Sequence, residues 1–328
     1  MVEARVEIER RVELGLHDSM KFTFSKPERS TTPADLLPDA QALVVAARSY
    51  RRADEPSPKP GPNGRIARYA WLDHYRPLRE ALTAMGARIR RDGWRTRVVS
   101  DDNALVDRAA AYRAGIGWLG KNANILLPGE GSWFVLGSLV TNAPFLTNST
   151  PAADGCGACV RCMDGCPTAA IVAPGVVDGR RCLAWLVQRP GVFPEEFAEA
   201  LGDRIYGCDD CQEVCPPNRA LERRLTAPDS EPGSQPWTDL VTLVTDTDGT
   251  ILSRHGRFYL PDRDPTTLRR NALLALGNVG DPNDEHVLAV VDGARSHADM
   301  GVQAAADWAL ARLVSRREAR GENRSPVI

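Results

Sequence analysis

Cys156-Gly157-Ala158-Cys159-Val160-Arg161-Cys162-Met163-Asp164-Gly165-Cys166-Pro167 is the stretch whose reading decides the fold. Three thiols at x2 spacing, followed by x3-Cys-Pro, are the ligand run of two-cluster iron–sulfur proteins. Behind it come Cys182 and a second run, Cys208-x2-Cys211-x3-Cys215-Pro216. These are all eight cysteines of the chain. In such pairs of runs the fourth Cys, the one before Pro, ligates the other cluster. The spacing predicts two [4Fe–4S] clusters and a protein that moves electrons.

Two other uses of eight cysteines stand beside this one. Four disulfides are arithmetically allowed, but disulfide scaffolds are short secreted chains. This chain has 328 residues and opens on the charged Met1-Val2-Glu3-Ala4-Arg5, with no apolar signal core. Two tetrathiolate zinc sites could use the same residues. Zinc sites seldom carry three x2-spaced thiols ahead of x3-Cys-Pro, with a second Cys-Pro run behind them.

Composition bounds the rest. With 43% hydrophobic and 26% charged residues the chain can bury a sizeable core. A net charge of -2 excludes a bulk polycation, so any nucleic-acid contact must come from local patches. No run of eighteen apolar residues exists, so no membrane span is expected. A cytoplasmic, oxygen-sensitive monomer fits these features.

Working outward from the cysteines, residues 1–35 read as polar without a core pattern. Residues 52–64 read as a Pro/Gly loop. Ala42-Leu43-Val44-Val45-Ala46-Ala47, Arg97-Val98-Val99 and Trp133 to Val140 read as strands. Leu78, Leu82, Met85 and Ile89 recur at helical spacing, and Leu105 to Ala114 reads as a helix. That alternation predicts an α/β layer domain over 1–148. The cysteine module follows over 149–225. A mixed linker over 225–265 then leads to two Ala/Leu-rich helical patterns, from Thr267 and from Val302, within a segment 226–328. These suggest HEAT-like repeats that give a surface for a large partner, or a plain helical hairpin.

Outside the cysteines, candidate chemistry is sparse. Asp101 and Asp102 follow a predicted strand and precede a helix, where a carboxylate could be an acid or base, or where Asp102 or Asn103 could cap the helix. Gly115-Ile116-Gly117-Trp118-Leu119-Gly120 follows a helix rather than a strand, which argues against a dinucleotide site. Its glycines predict backbone pressed against something bulky. Lys121 stands out as one of four lysines beside 37 arginines. Arg65 to Tyr75 sets cations beside aromatics, suiting a base, a cofactor ring or simply core.

Taken in order, these pieces resemble the epoxyqueuosine reductase family, over about residues 25–315. The resemblance rests on Ser49-Tyr50, Arg68-Tyr69, Asp73-His74-Tyr75, Asp101 and Ala114 to Lys121. It continues through Phe134-Val135-Leu136-Gly137, the cysteine runs with Tyr206-Gly207-Cys208-Asp209-Asp210-Cys211-Gln212, and Arg270-Asn271 with Ala275-Leu276-Gly277-Asn278. It implies an α/β cobalamin-binding domain, a bacterial-ferredoxin-like two-cluster module and a C-terminal HEAT-like α-helical domain. One cluster would be held by Cys156, Cys159, Cys162 and Cys215, the other by Cys166, Cys182, Cys208 and Cys211. Base-off cobalamin would meet Tyr50, Arg68, Asp101, Lys121, Ile125 and Leu136, with Asp101 as proton donor. The anticodon stem-loop of a tRNA would meet Arg219, Arg223, Arg224, Arg269 and Arg270. A flavodoxin or ferredoxin would supply electrons.

The sequence departs from the family pattern in places. The family's N-terminal segment of roughly forty residues is not found before Arg11. Its Cys-Ile-Ser-Tyr-Leu-Thr-Ile-Glu run reads Cys182-Leu183-Ala184-Trp185-Leu186-Val187-Gln188-Arg189 here, losing two hydroxyls. A Glu after the catalytic Asp is the shorter Asp107, and Pro-Trp-Asn is Pro216-Pro217-Asn218. These changes keep two alternatives in view: a related reductase acting on an organohalide or small epoxide, and a non-catalytic electron carrier.

Overall fold

A three-stranded antiparallel sheet organises the first half of the chain. In the computed structural model, which describes residues 1–51, 57–146, 149–224 and 233–322 (side chains to 319), the strand Phe134–Thr141 lies at its centre. Ala42–Ser49 pairs on one side, from Ala42↔Thr141 to Ser49↔Phe134. Thr96–Val99 pairs on the other, from Thr96↔Thr141 to Val99↔Ser138. The central strand is buried almost throughout, as expected for a strand covered on both faces. All three strands were legible as β-branched or apolar runs; their antiparallel pairing was not.

The helix Tyr75–Arg91 packs on this sheet through Leu78, Leu82, Gly86 and Ile89. Met85, expected inside, is 45% exposed. The face that repeats every 3.6 residues runs through Gly86 instead, where a Cβ would meet Leu139 Cδ1 at 3.0 Å. Each buried Leu or Ile is worth roughly 1.5–3 kcal/mol. Leu37, Val99, Leu105, Ala110 and Val140 form another cluster. Residues 1–35, read as featureless, fold into the helix Val2–Glu13 and short helical turns. Arg11 donates to the Gly175 carbonyl and Gly179 N–H to Leu16 O, tying this segment to the hairpin Ile171–Ala173/Val176–Val177.

By compactness the chain divides into two units, and not at 148 and 225. One comprises Met1–Asp54, Leu72–Cys182 and Asp209–Asp229; the other comprises Glu55–Trp71, Leu183–Cys208 and Ser230–Ile328. The cysteine module is not a separate body, because it is bonded into the first unit through Lys121, Asn122 and Ser132.

The second unit is built around the helix Thr266–Val279, buried from Thr267 through Gly277. It packs chiefly against Met300–Glu322, Leu240–Thr245 and the strand Arg204–Tyr206. Its small sheet has Asn63–Ile66 at the centre, parallel to Arg204–Tyr206 and antiparallel to Trp237–Asp239. The expected linker over 225–265 is therefore structured from Trp237 onward, with Asp239 and Thr247 capping the helices Leu240–Thr245 and Asp248–His255. Residues 52–56 and 225–232, parts of the expected loop and linker, lie outside the described residues. Trp71 is 2% exposed and Tyr69 lies against Tyr206, so part of the aromatic stretch 65–75 is core.

Candidate active site and cluster ligands

Asp101 sits just beyond the end of the edge strand Thr96–Val99 in left-handed backbone (φ 54°), a conformation Asp tolerates better than most residues. The expected helix cap does not form. The helix begins only at Asp107, and Asp102 Oδ1 instead accepts the N–H of Ala104 at 2.9 Å. Asp101 makes no hydrogen bond among the described residues, so of the two carboxyls it is the one left for chemistry. Solvent reaches its side chain, yet protein crowds it. That crowding raises its pKa, Arg79 pulls it down, and Asp73 and Asp102 push it up again. A carboxyl biased toward its protonated form can give a proton.

Asp107 adds a second unusual carboxyl. Burial first, and then the charge of Asp101, push it up to about 7. Its Oδ1 is buried with no hydrogen-bond partner among the described residues, and so is Ser100 Oγ. Buried polar atoms left open beside Asp101 are what remains where a polar ligand or water completes a site.

Several residues expected at the cofactor fall into place around this end of the sheet. Ile125 and Leu136 pack together with Ala111, backed by Val45, Ile116, Leu127 and Phe134. These apolar residues and the open carboxyl atoms are the groups a large ring cofactor would meet, though Ile125 and Leu136 are themselves covered by protein, at 2% and 8% exposed. Tyr50 is placed differently. It is 8% exposed, lies against His74 and Trp133, and burial raises its phenol far above the usual range. Arg68 belongs to the second unit. The Lys121 ammonium donates to the Gly157 carbonyl at 2.7 Å, in the first cysteine loop.

The glycines of the 115–120 segment press against the protein itself, not against a ligand. A Cβ at Gly117 would stand 2.0 Å from Leu126 O, and one at Gly115 would stand 2.6 Å from Thr150 O. This closeness lets Trp118–Leu119 pair with Ile125–Leu126 and turns the Trp118 indole N–H toward Cys156 Sγ at 3.4 Å.

All eight cysteines are free thiols, which removes the disulfide reading. Burial chiefly, with smaller contributions from the thiols of Cys162, Cys156 and Cys159, pushes Cys215 up to about 11 against the lowering hydrogen bond from Asn218. Cys166 Sγ accepts the N–H of Ala170 at 3.2 Å. Cys166, Cys182 and Cys211 share the first unit, while Cys208 ends a segment of the second. Among the described residues no group of three or more His, Cys, Asp or Glu is gathered as a metal-ion site.

A buried network that sequence reading missed holds the second run in place. Asn218, fully buried, accepts Ser132 N–H at 2.7 Å and donates to Ser132 Oγ and Gln212 O. Gly131 (φ +69°) must be glycine, since a Cβ would lie 2.0 Å from Asn218 Oδ1. The available signal was an Asn three residues after the last Cys.

The arginines divide. Arg219, Arg223 and Arg224 are exposed, on and just beyond the helix Pro216–Glu222, with no partner among the described residues. Arg269 and Arg270 are not available. Arg269 is bonded to Asp248 and to Asp246 O. Arg270, 1% exposed, donates to the carbonyls of Leu186, Arg189 and Gly191. The expectation that these two meet phosphates is withdrawn, because their guanidinium groups serve the core.

Two family models match the chain: a 4Fe-4S double cluster binding domain over residues 155–218, and epoxyqueuosine reductase QueG over residues 31–102. The epoxyqueuosine reductase of Xanthomonas campestris is 33% identical over 315 residues, which is 90% of this chain and 85% of that protein. The chain belongs to the epoxyqueuosine reductase family. The family's Bacillus cereus member is 36% identical over 264 residues, 78% of this chain and 69% of that one. An epoxyqueuosine reductase solved with an epoxyqueuosine-modified tRNA-Tyr stem loop superposes with a TM-score of 0.86 at 29% identity, covering 98% and 85% of the two chains. The Bacillus subtilis enzyme, solved with its catalytic loop swung out of the active site, gives 0.83 at 28% identity, covering 100% and 88%. Membership makes this chain an oxidoreductase carrying a double iron–sulfur domain. No described helix is long and apolar enough to cross a membrane.

Proposed function

We propose that this protein reduces epoxyqueuosine to queuosine at the wobble position of a tRNA, with two [4Fe–4S] clusters and cobalamin, the last step of queuosine formation. Two electrons and two protons remove the epoxide oxygen as water. The observation that carries the reading is Asp101: an unbonded carboxyl with raised pKa, in the same compact unit as seven of the eight thiols. It would hold the proton that the opening epoxide oxygen takes up. Asp107, raised to about 7, is a neighbouring reserve of protons.

Cobalamin would lie against Ile125 and Leu136, with Asp101 at its edge, and would supply the reducing, nucleophilic chemistry that opens the epoxide. Tyr50 would support this site from the core, and Lys121 would act near it. The cluster sets proposed are Cys156, Cys159, Cys162 and Cys215, and Cys166, Cys182, Cys208 and Cys211. A flavodoxin or ferredoxin would feed them. Exposed Arg219, Arg223 and Arg224 suit the phosphates of an anticodon stem-loop, whose unpaired bases can splay outward. The helices from Leu240 onward we read as HEAT-like repeats, and the protein as a cytoplasmic monomer.

The departure at 187 does not favour another substrate. Val187 is fully buried in the core of the second unit, so the lost hydroxyl there is a packing change. The test is anaerobic reconstitution with iron, sulfide and cobalamin, then reduction with tRNA carrying epoxyqueuosine and nucleoside analysis. Queuosine should form, and Asp101→Asn should stop turnover while leaving the clusters and cobalamin bound. Bound, reducible cobalamin with no queuosine would send the reading to another substrate.

A further inference from the structure

We propose that Trp118 and Lys121 set the reduction potential of the cluster held by Cys156, Cys159, Cys162 and Cys215. This rests on the cluster assignment above and goes beyond it.

The geometry begins with the hairpin of Trp118–Leu119 and Ile125–Leu126. One strand carries Ile125, one of the apolar residues proposed to meet the cofactor. The other carries Trp118, 8% exposed, whose indole N–H lies 3.4 Å from Cys156 Sγ. The indole is locked there by Gly155, where a Cβ would stand 2.6 Å from the ring. Three residues on, the Lys121 ammonium bonds the Gly157 carbonyl, one residue past the same ligand. The Cys156 backbone N–H is spent on Asp154 Oδ1, so it is not the donor to sulfur. Neither side chain has another partner shown, and neither carries out chemistry; both are positioning residues.

Their common effect is electrostatic. The cluster gains one electron from an external flavin or iron–sulfur donor, and no proton moves. The reduced form carries one more negative charge, spread over its thiolates. An N–H aimed at a thiolate and a cation one residue away both favour that form, as hydrogen bonds to sulfur and local charge do in iron–sulfur proteins. The hairpin that holds Trp118 also holds Ile125, so the tuned cluster and the proposed cofactor contact share one rigid element. Raising its potential draws electrons toward the site where they are used.

The experiment is a dithionite redox titration of the full reconstituted protein, followed by electron paramagnetic resonance without substrate. Trp118→Phe keeps the ring and loses the N–H; Lys121→Met loses the charge; Lys121→Arg keeps it. Iron content and far-ultraviolet circular dichroism verify that each variant is loaded and folded. One of the two midpoints should fall in Trp118→Phe and in Lys121→Met, with the other unmoved. Lys121→Arg should match wild type. For the double change, the reduced-to-oxidised ratio at the wild-type midpoint should drop about tenfold, equivalent to about 59 mV for one electron. Should Trp118→Phe fail to load, Lys121→Met and Lys121→Arg decide alone. Unchanged midpoints in the loaded variants would overturn the proposal. A wild-type protein that binds no [4Fe–4S] cluster would instead overturn the cluster assignment beneath it.

Discussion

Replacing Asp107 by Asn should make the protein more stable at pH 8 than at pH 5, relative to wild type. Asp107 has an ordinary pKa of 3.8 and is pushed to about 7 in the folded chain, first by burial and then by Asp101. A carboxyl whose pKa rises on folding holds its proton more tightly in the native state. Its contribution is fully present below about pH 4 and is lost as pH climbs through 7. At about 1.4 kcal/mol per pH unit, the part of the interval from 3.8 to about 7 that lies above pH 5 is worth at most about 3 kcal/mol. Asp107 is only half-buried, so screening by water brings this to roughly 1–2 kcal/mol. Asn cannot ionise and escapes that loss. The measurement is anaerobic thermal unfolding of wild type and Asp107→Asn at both pH values, where each kcal/mol moves Tm by about 2–4 °C. The Asn-minus-Asp difference should grow by several degrees from pH 5 to pH 8. If it is the same at both, Asp107 titrates normally and the argument is wrong. Asp101→Asn offers a companion check: without that neighbouring charge, the pH at which wild-type stability falls should move lower.

Three further outcomes follow from the packing. Cys215→Ala should cost one cluster, halving bound iron, and the surviving signal should come from the set containing Cys166; full iron content would refute the exchange of ligands between runs. Asn218→Ala opens three buried hydrogen bonds and should destabilise by about 3–5 kcal/mol with loss of the Cys215 cluster, read by urea unfolding and iron assay. Arg270→Met strips one buried and two part-buried carbonyls of their donor and should cost about 2–4 kcal/mol, with no change in the salt dependence of tRNA binding. A weakened salt dependence would return Arg270 to the RNA surface.

Much of this protein was legible because its chemistry is local. Ligand spacing alone placed Cys156 to Cys215, and apolar runs placed all three strands of the main sheet within a residue or two. What stayed hidden depends on partners distant in sequence. Asp101 could not be told from Asp102 until Ala104 was seen to take up the second carboxyl. Arg269 and Arg270 looked like phosphate ligands because the sequence does not show the carbonyls of residues 186–191 turning toward Arg270. Asn218 gave no periodic signal, since its partner Ser132 lies 86 residues earlier. The glycines of residues 115–120 did announce a close approach, but spacing cannot say that the neighbour is the chain's own hairpin.

The interleaving of the two units has a consequence for how the protein is made. The chain passes from one to the other at 54, 71, 182, 208 and 229, so neither is a continuous piece. A ribosome releasing the chain from its N-terminus cannot complete the first unit until residues 209–229 have emerged, after residues 183–208 of the second. Cys211, Cys215 and Asn218 all arrive in that late segment. Under the proposed ligand sets, the thiols of the first run would wait until then with an unfinished set, and iron loading would be tied to the emergence of that late segment.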